Sequence, residues 1–152
     1  MTTRLTVADA EAMERLGARL AGLLAAGDLV VLDGPLGAGK TTLTRGLGAA
    51  LGARGTVSSP TFVLAREHPT ASGVPFVHVD AYRLPGAREL DDLDLDYAGS
   101  IVVVEWGAGK LDGVADSWID VAIVRHPDDD VRDVTITGHG ARWSQLDAAL
   151  AT

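Results

Sequence analysis

Residues 34–41 read Gly-Pro-Leu-Gly-Ala-Gly-Lys-Thr and match the spacing G-x-x-x-x-G-K-[ST]. The residue types suit one task, holding a polyphosphate. Glycines let backbone N–H groups curl round phosphate oxygens in conformations that a side chain would block. The expected contacts are the N–H groups of Leu36, Gly37, Ala38 and Gly39, followed by Lys40, Thr41 and Thr42. The chain has 13 Lys+Arg but only two lysines, Lys40 and Lys110. A slim point charge on a flexible stem reaches between the β- and γ-phosphates, where a planar guanidinium does not fit. The Thr41 hydroxyl is placed for Mg²⁺ and Thr42 for the α-phosphate.

Such a loop needs a carboxylate at the end of a neighbouring strand to hold the metal. Two acids qualify. Asp80 ends the run PFVHVD, and Glu105 ends IVVVE. Parallel strands deliver their C-terminal ends to the sheet edge where the loop lies. One acid can orient the Mg²⁺ shell while the other positions or deprotonates a water; residue type alone does not divide these roles. Ser58-Ser59-Pro60-Thr61 follows the expected loop helix, where hydroxyls can sense a γ-phosphate. The four histidines show no metal-ligand spacing, and Asp128-Asp129-Asp130 reads as a solvated turn.

These residues need a scaffold. TTRLTV, residues 2–7, alternates like a short strand. Thr6 then reads as a helix cap, with Asp9 as its capping-box partner. Met13, Leu16, Leu20, Leu23 and Leu24 recur at helical spacing, with Gly27 as the stop. Leu29 to Asp33 is a short apolar run, as expected of a buried parallel strand. A helix follows the loop from Thr41 to Leu51. Thr61 to Glu67 and Val74 to Asp80 read as two strands joined by a turn. Ala87 to Tyr97 reads as a short helix or irregular segment. Ile101 to Glu105 is a second buried strand. Trp118–Arg125 and Val131–Thr137 suggest a hairpin, and Ala141–Ala151 a closing helix. Strand–helix units followed by hairpins predict an α/β fold, with a mostly parallel sheet and antiparallel additions.

The bulk numbers fit one domain over residues 1–152. Hydrophobic residues make up 47%, enough for a sizeable core, but no run approaches the ~20 apolar residues of a membrane span. The first residues lack a charged-then-apolar signal pattern, and there are no cysteines, so a cytoplasmic location is expected. The net charge of −8 argues against tight binding to a nucleic-acid backbone by this chain alone. Guanine is typically read by N-K-x-D. Gly109-Lys110-Leu111-Asp112 lacks the amide, and the chain has no Asn, so ATP is favoured over GTP.

Four stretches in order, GPLGAGKTT, SSPTF, HVDAYRL and VVVEW, resemble the TsaE (YjeE) family. The HVDAYRL stretch carries that family's H-x-D-x-Y-R pattern through His78, Asp80, Tyr82 and Arg83. The resemblance implies a P-loop NTPase-like three-layer fold, mostly parallel at the centre with antiparallel flanking strands. It implies ATP hydrolysis, weak in isolation, in the synthesis of tRNA threonylcarbamoyladenosine next to the anticodon. TsaD and TsaB would be the partners, with tRNA met indirectly through them. By motif match, Lys40 and Thr41 would be phosphate and Mg²⁺ ligands, Glu105 the Mg²⁺-linked acid and Asp80 the second catalytic acid. Two positions depart from the family pattern. Pro35 stands where an acid is common, and Met13 where a Thr precedes the Leu-Gly pair. The rival readings are a small-molecule P-loop kinase and a non-enzymatic nucleotide switch.

Overall fold

The computed structural model describes residues 2–35, 37–55, 65–82, 94–106 and 115–151. Its centre is a seven-stranded sheet: β1 (Thr2–Val7), β2 (Leu29–Asp33), β3 (Ala65–His68), β4 (Phe76–Asp80), β5 (Ile101–Glu105), β6 (Trp118–Arg125) and β7 (Arg132–His139). The strand order is β1-β7-β6-β2-β5-β4-β3. The four central strands, β6, β2, β5 and β4, run parallel, and β1, β7 and β3 are joined antiparallel at the two sides. The expected α/β class and sheet pattern are thus present.

Burial explains why two strands are unbroken apolar runs. β2 and β5 sit mid-sheet with both faces covered, so LVVL and IVVV are all buried. Odd and even residues feed two apolar layers. Val30, Leu32 and Val103 pack under the helices, while Val31, Val102 and Val104 pack on the far face with Leu95, Tyr97 and Trp118. β6 and β7 alternate instead, burying Ile119, Val121, Ile123, Val134 and Ile136 on the helical side.

Helices α1 (Ala10–Ala21), α2 (Lys40–Ala50) and α3 (Leu146–Ala151) contribute to the first layer. α1 and α2 cross at two glycines. A Cβ on Gly17 would run into the Leu43 carbonyl oxygen, and one on Gly46 into the Glu14 carbonyl. Asp9, not Thr6, caps α1, its Oδ1 accepting from the Ala12 N–H at 2.8 Å. The reason is strand pairing: β1 is committed to β7 through Val7, so Thr6 faces Asp133 across the ladder. α1 also ends before Gly27, at Ala21.

The expected closing helix is split into a 3₁₀ turn, Ala141–Trp143, and α3. Arg142 forms a two-pronged pair with buried Asp28, at 3.1 and 2.9 Å, which pins the turn beside the entrance to β2. Residues 94–97 are not helical. Leu36, Ser58 to Thr61, Arg83, Leu84, residues 87–93 and residues 109–112 lie outside the described residues.

Candidate active site

The loop after β2 turns back on itself before α2. Gly37 has φ 76° and Gly39, which precedes the helix, has φ 116°. Both angles favour glycine over any residue with a Cβ. α2 starts at Lys40, and its first N–H groups have no side-chain cap. Uncapped N–H groups and the positive end of the helix dipole make this a place for an anion.

Lys40 is buried, and its Nζ donates to the carbonyl oxygens of Gly34 at 2.7 Å and Pro35 at 3.0 Å. The ammonium also sits 3.8 Å from the centre of the Trp106 ring. Burial pulls its pKa below the usual lysine value, although Glu105, Asp33 and Asp80 each favour the charged form. Trp106 is held in the left-handed region at φ 63°, uncommon for a bulky residue. Its N–H donates to the Leu32 carbonyl at 2.8 Å, and its ring meets Tyr82 edge-on, with centroids 5.0 Å apart.

The two candidate acids come together. Asp80 and Glu105 are register partners on neighbouring parallel strands, so their side chains leave the same face of the sheet. Glu105 is only 3% exposed, and the Thr41 hydroxyl lies 3.3 and 3.4 Å from its two carboxylate oxygens. Asp80 is partly exposed, and its Oδ1 accepts from the Tyr82 N–H at 2.9 Å. Glu105 therefore faces the start of α2, while Asp80 stands nearer to solvent.

The donor set fits Mg²⁺. A hydroxyl and a carboxylate are hard oxygen ligands, already adjacent, beside a loop shaped for phosphate. Among the described residues no group of three or more His, Asp or Glu gathers as a metal cage. Mg²⁺ does not require one, because it commonly takes one or two protein oxygens, substrate phosphates and water.

Three residues gain a part in the site that their sequence does not assign, His78 among them although it belongs to the H-x-D-x-Y-R pattern. His78, fully buried on β4, contacts Glu105 Oε2 through Nε2. Its signal was a polar residue two before Asp80 in an otherwise apolar strand, which places both on one face. Arg132, at the start of β7, donates from Nε to the Ala38 carbonyl at 3.0 Å and so braces the glycine loop. Asp130, read as part of a solvated turn, helps to line a cleft of about 210 Å³ with Asp9, Met13, Gly39, Thr42 and Arg132. Nothing local in HPDDDVR marks either residue, because the hairpin must form before its tip reaches the loop.

The profile of the family described as "Threonylcarbamoyl adenosine biosynthesis protein TsaE" matches residues 7–134. The chain belongs to the TsaE family. A TsaE of Streptomyces coelicolor is 55% identical over 145 residues, spanning 91% of this chain and 98% of the relative. A TsaE of Mycobacterium leprae is 48% identical over 130 residues, spanning 79% and 81%. The fold is shared with the crystal structure of Bacillus subtilis YdiB, at a TM-score of 0.79 and 27% identity over 99% of this chain and 95% of that one. The TsaE match takes in every strand from β2 to β6, the glycine loop and both strand-end acids.

Proposed function

We propose that this TsaE-family chain binds and hydrolyses Mg²⁺-ATP to serve tRNA threonylcarbamoyladenosine biosynthesis, acting with TsaD and TsaB. The observation that carries the reading is the alignment of buried Lys40, the Thr41–Glu105 contact and Asp80 along one sheet edge. The names of the relatives point to the same pathway.

Each side chain has a distinct part. The loop N–H groups of residues 36–39 and the first turn of α2 bind the phosphates. Lys40 exchanges the Gly34 and Pro35 carbonyls for phosphate oxygens, a better match for an ammonium. Thr41 and Glu105 hold Mg²⁺, which when bound neutralises charge on the β- and γ-phosphates. Asp80, the more exposed acid, orients the attacking water and accepts its proton. The cleft lined by Thr42 and Arg132 borders the glycine loop and receives the nucleoside.

ATPase assay of the chain alone, then with TsaD, TsaB and tRNA, tests the reading. Weak turnover that rises in the complex is expected. Strong turnover without partners would count against partner gating. Phosphate transfer to a small acceptor in place of water would favour a kinase.

A further inference from the structure

Glu105 is a carboxylate taken almost wholly out of water, so it requires hydrogen-bond donors. Two reach it. The Thr41 hydroxyl lies at nearly equal distances, 3.3 and 3.4 Å, from the two oxygens and does not choose between them. His78 does choose: its Nε2 engages Oε2. A carboxylate accepts, so Nε2 carries the hydrogen. In the neutral ring Nδ1 is then an acceptor, and it is buried with no partner among the described residues. An apolar residue would avoid that unmet acceptor, so core stability is a poor reason for a histidine here. The ring is also backed by Phe76, with the two planes within 6° of parallel and the centroids 6.4 Å apart. It is therefore held in one orientation from behind while it holds the acid in front.

We propose that His78 is a positioning residue, which ties down Glu105 Oε2 and leaves Oε1 presented to the metal beside Thr41. The role rests on the reading of the site as a Mg²⁺-ATP site. His78 acts on the site through Glu105. Partners of ligating carboxylates act on metal affinity in this way, and their loss typically costs about 10–100-fold.

Two amides separate this role from mere polarity. The side-chain nitrogen of glutamine falls close to the Nε2 position of histidine, and that of asparagine close to the Nδ1 position. His78→Gln keeps a donor towards Glu105, whereas His78→Asn places it one bond too short. Affinity for a fluorescent ATP analogue is measured on the full chain with Mg²⁺ and with EDTA, and turnover is measured in the presence of the partners. We expect all three proteins to bind alike in EDTA. His78→Asn should lose about 10–100-fold of the Mg²⁺-dependent gain and of kcat. His78→Gln should stay close to the parent in both. Equal losses in both variants with EDTA binding intact, or an unchanged Mg²⁺ dependence in His78→Asn, would overturn the role. If the parent chain itself fails to bind ATP, the ATPase reading fails instead, before His78 is tested.

Discussion

A lysine ammonium pressed against two carbonyl oxygens and an indole face has given up water for partners weaker than a phosphate. Burial outweighs the three nearby acids, so the charged form is disfavoured relative to free lysine. The folded chain thus gives up stability below the ordinary lysine pKa, and the deficit shrinks as pH rises through the lowered value. Lys40→Met keeps the stem and removes the charge. It should abolish ATP binding, measured by titration calorimetry, yet raise the Tm of the nucleotide-free protein. Unchanged ATP affinity would sink the phosphate-loop assignment. Glu105→Ala should cut hydrolysis far more than nucleotide affinity in EDTA; intact turnover would remove Glu105 from the metal shell. Lys40 was legible from sequence because its chemistry is local: glycines before it, hydroxyls after it. The link from His78 to Glu105 was not, because it depends on how β4 lies against β5.

At the scale of elements, strands declared themselves where burial was complete. β2 and β5 are apolar runs because no face of theirs meets water, and their acids mark where the run ends. The β6–β7 hairpin was legible from alternation, since one face stays polar. The start of α1 lies at Asp9 and not at the expected Thr6, because the two have equal local claims to a cap and only the distant pairing of β1 with β7 decides between them. The split of the last helix has a similar origin in the long-range Arg142–Asp28 pair. The α1–α2 crossing is a further case, since Gly17 and Gly46 look like poor helix formers until their close approach is seen. Alanine at a helical glycine gains about 1 kcal/mol of propensity. Here it meets a backbone carbonyl, and overpacking costs about 1–3 kcal/mol. The rigid obstacle places the cost at the upper end, so Gly17→Ala should lower Tm by several degrees in a thermal melt. A neutral or raised Tm would show that the helices can separate without loss.

For the molecule as a whole, charge and architecture point the same way. A net charge of −8 gives little to displace counterions from tRNA. The isolated chain should show no tRNA binding at physiological salt in a gel-shift assay, and retention should appear only with the partner proteins. Tight binding by the chain alone would reverse the expected order of contacts. Among the described residues no helix is long and apolar enough to cross a membrane. The loop, the acids and the cleft are supplied by both halves of the sequence, from Asp9 to Arg132, so the site forms only when the sheet is complete.

The parked ammonium above Trp106 gives the protein an optical handle. A cation held 3.8 Å from an indole centre perturbs its excited state, and phosphate would draw that cation away. With Trp118 and Trp143 replaced by Phe, the remaining emission should shift in wavelength or intensity as ATP is added and saturate with occupancy. The same change should be missing in Lys40→Met. Such a signal needs no label and would time nucleotide arrival and departure in a stopped-flow trace. The clock of the cycle could then be read from a residue whose ring is already part of the lock.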